Sequence, residues 1–89
     1  MIVEIDKTFE KDVKKVKDKK TLERIEKLIL SLTDSDSLNH IDGVKKLSGF
    51  TDVYRFRIGP YRIGAKSDGE KITFVRFLHR KDIYKYFPK

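Results

Sequence analysis

The chain has 89 residues, 38% of them hydrophobic and 39% charged, which is room for one small domain that buries roughly 60% of the surface its unfolded form exposes. The absence of cysteine excludes disulfides and thiolate metal sites, no apolar run approaches the ~20 residues that span a bilayer, and the early Glu4 does not suit a signal peptide, so a cytoplasmic protein without a membrane partner is expected. The net charge of +7 is unevenly placed: residues 1–40 set nine Lys or Arg against nine Asp or Glu, whereas residues 41–89 set twelve against five and hold five of the six arginines.

Met1 to Asp6 reads as a short strand with Ile2, Val3 and Ile5 as its apolar residues. Thr8 is the expected N-cap of a first helix, whose stripe of Phe9, Val13 and Val16 recurs at helical spacing and which is expected to end near Asp18-Lys19-Lys20. Thr21 is the expected cap of a second helix, with Glu23 in its first turn and a wider face of Leu22, Ile25, Leu28, Ile29 and Leu32. A tight connection between two such helices predicts an antiparallel hairpin whose stripes serve the core.

Thr33 to Gly49 is polar and reads as a loop, with one helical turn around Leu38 to Ile41. From Asp52 the period changes to two. Val53 to Ile58, Tyr61 to Lys66 and Lys71 to His79 alternate as strands, separated by Gly59-Pro60 and by Ser67-Asp68-Gly69-Glu70. Asp82 to Phe87 is either a last short helix or a tail, stopped by Pro88. The expected fold is a single α+β domain spanning residues 1–89: an N-terminal strand, a helical hairpin, and a three-stranded antiparallel meander with the helices on one face.

Alternation sorts the meander into two sides. Tyr54, Phe56 and Ile58 oppose Arg55 and Arg57; Tyr61, Ile63 and Ala65 oppose Arg62, Gly64 and Lys66; Thr73, Val75 and Phe77 oppose Ile72, Phe74, Arg76 and Leu78. With the first set of each strand toward the helices, Arg55, Arg57, Arg62, Lys66 and Arg76 share the open face, and Phe74 lies among them. No carboxylate falls between Arg55 and Lys66. Clustered arginines repel one another unless a counter-charge is expected, so the face is either an anion-binding surface or a merely solvated one, and the former is favoured. Arginine's planar fork pairs bidentately with phosphate and stacks on bases, which lysine does not do. Phe74 then either stacks an unpaired base or covers part of the sheet in a small second cluster.

The segment from Val44 to Phe87 resembles the RelE/ParE superfamily of toxins from toxin–antitoxin pairs. Lys46-Leu47 with Gly49 before the sheet, Tyr54-Arg55-Phe56-Arg57 through Gly59 to Tyr61-Arg62, and His79-Arg80-Lys81-Asp82-Ile83-Tyr84 at its close carry the likeness, and the helical hairpin fits the family's element order. The resemblance implies an endoribonuclease that cuts messenger RNA in the ribosomal A site without metal or other cofactor, by attack of the 2′-oxygen on the adjacent phosphorus. It also implies a cognate antitoxin as partner, partly disordered and acidic. Arg55, Arg57, Arg62 and Arg80 match the family's basic catalytic positions and Tyr84 its C-terminal tyrosine, with Lys66, Phe74, Arg76, His79 and Lys81 as further candidates for RNA contact.

The well-known cleaving members carry lysines where this chain has Arg55 and Arg57. Arginine keeps its proton far above neutral pH and is a poor general base. Histidine, with an ordinary pKa of about 6.5, is the usual proton carrier, but alternation puts His79 on the helix-facing side, where it is otherwise a satisfied residue at a strand end. Tyr84 is open to three readings: acid or base, base-stacking surface, or packed side chain. Two competing readings stay open: ParE-type members of the family poison DNA gyrase by binding it, and a plain RNA- or ribosome-binding module would hold substrate in an all-arginine site without cutting. Of the remaining features, His40 is expected at the surface, and Lys11, Lys14, Lys15 and Lys17 are expected on a solvated face that could touch ribosomal RNA.

Overall fold

The computed structural model describes residues 1–88 apart from the side chain of His40, whose expected surface position lies outside the described residues. β1 (Ile2–Ile5) leads into α1 (Lys7–Lys14) and α2 (Lys19–Thr33). After a 3-10 turn at Leu38–His40 come β2 (Val44–Lys46), β3 (Val53–Ile58), β4 (Tyr61–Ser67), β5 (Lys71–His79) and the short α3 (Ile83–Tyr86). The strands form one sheet in the order β1-β5-β4-β3-β2. β1 runs parallel to β5 and the other pairs are antiparallel. No helix among the described residues is long and apolar enough to cross a membrane.

The α+β order of strand, helical hairpin, meander and short helix is as expected; several local details are not. α1 begins after Asp6, not at a Thr8 cap, and stops at Lys14. Its stripe nevertheless continues, because the amides of Lys15 and Val16 bond to carbonyls three residues back and the tightened turn keeps Val16 against the core. α2 begins after Asp18, and Thr21 lies inside it as a buried residue that donates its hydroxyl to the Asp18 carboxylate at 2.6 Å. With the helix starting at Lys19, Glu23 falls beyond its first turn. β2 is a fourth antiparallel strand within the expected loop. Three residues reading Val-Lys-Lys show no alternation to detect, and lysines suit a short edge strand.

The main core lies between the sheet and the helices. Phe9 of α1 meets Phe74 and Phe77 with ring centroids 5.3 and 6.0 Å apart, and Phe56 meets Phe74 at 5.7 Å, contacts worth about 0.5–1.5 kcal/mol each beyond burial. Phe74 is therefore in the core at 0% exposure, not on the open face. The cause is a bulge: Gly64 pairs with Arg76 and Ala65 with Phe74, which leaves Val75 as an extra residue. One added residue reverses the alternation, so Ile72, Phe74 and Phe77 all face the helices, while Val75 joins a second cluster on the opposite face.

Candidate functional site

The face away from α1 and α2 is shared between a small apolar cluster and a group of arginines. Inward packing of Tyr54, Phe56 and Ile58 turns Arg55 and Arg57 outward, and Arg57 stands directly opposite Arg62 on β4. Arg62 folds back on the β3–β4 turn, where its Nη1 donates to the carbonyls of Gly59 at 2.9 Å and Tyr61 at 2.8 Å. Arg80 follows β5, and its amide donates to the Pro60 carbonyl at 2.9 Å, which ties it to the same turn.

Tyr84 is brought in by α3. Ile83 and Phe87 are buried against Val53 in the second cluster and press α3 onto the sheet. Phe87 lies on Gly64: a Cβ there would stand 2.5 Å from its ring, so any larger residue at this strand position would have to push the ring away. Between the two anchors Tyr84 projects outward, 56% exposed, and its hydroxyl oxygen accepts from Arg55 Nη1 at 3.0 Å.

The crowding has an electrostatic consequence. Partial burial is the first cause that lowers the Arg62 guanidinium from the ordinary arginine value; Arg55, Arg57 and Arg80 lower it further, and Tyr84 works against them. Arg62 still keeps its proton at neutral pH, so the mutual repulsion is what an incoming anion would relieve. Among the described residues, none of Arg55, Arg57, Arg62 and Arg80 has a carboxylate within ion-pair distance. The Arg55 Nε is buried without a hydrogen-bond partner. Such a site can hold a phosphate and stabilise added negative charge on it. Among the described residues no three His, Asp or Glu side chains gather in a way that could hold a metal ion.

Not every expected residue joins this group. Arg76 is turned by the bulge to α1, where it donates from Nε and Nη2 to Asp12 at 2.8 and 3.2 Å, with its Cζ 5.3 Å from the centre of the Tyr86 ring. Phe74 is enclosed in the core and has no face to offer a base. His79 lies on the helix side, edge-on to Tyr61, and its Nδ1 accepts from the Lys81 amide at 3.2 Å. Lys66 points to the open face but sits four residues along β4 from Arg62, roughly 13 Å away at strand rise. Lys81 is exposed beside Arg80. Reading the sequence alone overlooked Gly64 and Phe87, although an isolated glycine within a strand pattern signals a close approach. It also overlooked Asp12, which is 5% exposed and takes the Phe77 amide as well as Arg76.

Comparison with known proteins agrees with this fold. A family model described as the ParE toxin of type II toxin–antitoxin system, parDE, matches residues 3–84. Toxin RelE3 of Methanocaldococcus jannaschii is 46% identical over 83 residues, covering 92% of this chain and 93% of that protein. The crystal structure of the RelB-RelE antitoxin-toxin complex from Methanococcus jannaschii superimposes with a TM-score of 0.81 at 44% identity, over 96% of this chain and 99% of the matched one. The archaeal RelE-RelB complex from Pyrococcus horikoshii OT3 gives 0.72 at 23% identity, over 92% and 97%, a likeness of fold alone.

Proposed function

Since the chain belongs to the RelE/ParE superfamily of type II toxin–antitoxin toxins, we propose that it is a ribonuclease that cleaves messenger RNA in the ribosomal A site and so halts translation. The observation that carries this reading is the meeting of Arg55, Arg57 and Arg80 around Arg62, with Tyr84 bonded to Arg55 and no carboxylate to neutralise the arginines among the described residues.

In the reaction, the 2′-oxygen bonds to the adjacent phosphorus and the bond from phosphorus to the 5′-oxygen breaks. The products are a 2′,3′-cyclic phosphate and a 5′-hydroxyl. Charge builds on the non-bridging oxygens as the phosphorus becomes five-coordinate, and fixed cations aimed there lower the barrier without reorganising. Arg62, pinned by two carbonyls, and Arg57 opposite it suit that task. Arg55 donates to the Tyr84 oxygen, which leaves the tyrosine's own proton free to be given to the departing 5′-oxygen. The proton of the attacking hydroxyl goes to water, because guanidinium is a poor base and His79 faces the helices.

The RelB-RelE complex from Methanococcus jannaschii supports an antitoxin partner here too, and an acidic, partly disordered one would suit the arginine face. Expression of the chain should stop translation and leave cuts within codons of translated messages, with 5′-hydroxyl ends, and added antitoxin should suppress both. Intact messages together with loss of gyrase supercoiling would establish the competing activity and reject this one.

A further inference from the structure

A second concavity adjoins the arginine face. β2 ends where Val44 pairs with Phe56, the Arg57 amide still donates to the Gly43 carbonyl at 3.1 Å, and beside Arg57 and Ile58 lies a cleft of about 590 Å³ between α2 and Ile41-Asp42, within the ~300–1,000 Å³ of small-ligand sites. Arg57 belongs to both places, as a neighbour of Arg62 and as a wall of the cleft. Arg24 of α2 is a second link. Its Nη1 lies 2.9 Å from where a Cβ on Gly59 would stand, so it packs on the turn whose Gly59 carbonyl also receives Arg62. Glycine serves there twice over, since its φ of +56° is one that other residues rarely adopt.

The lining of the cleft is mixed. Arg24, Lys27 and Arg57 bring positive charge, and Leu28, Ile41 and Ile58 form an apolar floor. Among the described residues, neither Arg24 nor Lys27 has an ion-pair partner. Asp34 and Asp42 add carboxylates. A site for phosphate alone would not carry acids, whereas a whole nucleotide has use for every part: a phosphate for the cations, a base for the floor, and amino hydrogens for the carboxylates.

We infer that this cleft holds one nucleotide next to the scissile phosphate, with its backbone phosphate on Arg24 and Lys27 and its base on Leu28, Ile41 and Ile58; the inference rests on the ribonuclease reading. RNA then crosses the arginine face and passes over the β3 edge at Arg57.

The test uses the full chain and two 2′-O-methylated RNAs, which lack the attacking hydroxyl: a heptanucleotide, and a dinucleotide that fills only the arginine face. The variant Arg24→Ala/Lys27→Ala, at exposed helix positions that tolerate alanine, should bind the heptanucleotide about tenfold more weakly. It should also lower the slope of log affinity against log salt by about 0.7, one phosphate contact on a single strand. NMR titration with the dinucleotide should be unchanged, and Lys14→Ala/Lys17→Ala, which removes equal charge from α1 and its closing turn, should bind the heptanucleotide as wild type does. Wild-type affinity and slope in the first variant, or an equal loss in the α1 control or on the dinucleotide, would overturn the cleft assignment while leaving the ribonuclease reading in place. Failure of the unaltered chain to bind either RNA would also overturn the cleft assignment, whereas the ribonuclease reading stands or falls on the cuts in translated messages.

Discussion

Arg76 and Arg62 stand on neighbouring strands of one sheet and are treated in opposite ways. Arg76 meets a nearly buried carboxylate in bidentate fashion and lies over an aromatic ring, so its charge is used within the fold. Arg62 meets two carbonyls and three other guanidiniums, so its charge stays available. The neighbours of an arginine, more than its presence on a sheet, decide whether it builds the protein or waits for a ligand.

The contrast is sharpest in Arg62→Ala, which should reduce single-turnover RNA cleavage by about 10²–10³-fold, the range for losing one transition-state donor, with the thermal midpoint unchanged or raised. A midpoint that fell with the activity would make Arg62 structural after all and end the distinction. Asp12→Ala should do the reverse. It strands Arg76 and the Phe77 amide and should cost roughly 3 kcal/mol in chemical denaturation, the lower end for a broken buried pair because Arg76 remains 23% exposed.

Gly64→Ala pushes a methyl into the Phe87 ring and should cost about 1–3 kcal/mol. Its effect on cleavage should match that of Tyr84→Phe, since lifting α3 takes Tyr84 away from Arg55. Tyr84→Phe itself should lower cleavage by no more than about 10²-fold, the lower end for a positioned acid, at nearly unchanged stability because the hydroxyl is exposed.

The smallest effect is that of pH. Asp68 is held below the ordinary carboxylate value of 3.8 chiefly by the amides of Lys71 and Glu70, and Asp18 below the same value chiefly by the Thr21 hydroxyl. A carboxyl lowered on folding stabilises fully above its unfolded value and loses that contribution as pH falls through its folded one. Stability curves of wild type and Asp68→Asn should therefore differ at neutral pH and converge below 3.8. The lowered Arg62 has the opposite sign: it opposes folding at neutral pH and is relieved only in strong alkali, so Arg62→Ala should leave the acid limb untouched.

Much of this was legible from the residues. Phe9, Val13 and Val16, and then Ile25, Leu28 and Leu32, announce the helices because burial on a helix repeats every three or four residues. Strict alternation through β3 and β4 places Arg55, Arg57 and Arg62 on one face, as the register confirms. Arg80 and Tyr84 were reached through family likeness, since neither lies in an alternating run shared with the others. Where reading by twos failed, the Val75 bulge was the reason, and it misplaced Phe74 and Arg76 together. Nothing in the sequence of β5 marks which residue will be extra, because Ile72-Phe74 and Phe77 each offer a plausible inward set.

By itself the sequence determined the kinds and order of the elements other than β2, and the surplus of positive charge in the second half, because these depend on local periodicity and composition. Only the tertiary structure decided which arginines are neutralised, where Tyr84 stands and that a cleft adjoins Arg57. Those outcomes depend on contacts such as Asp12 with Arg76 and Gly64 with Phe87, between residues far apart along the chain, and on a one-residue slip in pairing that local preferences do not resolve.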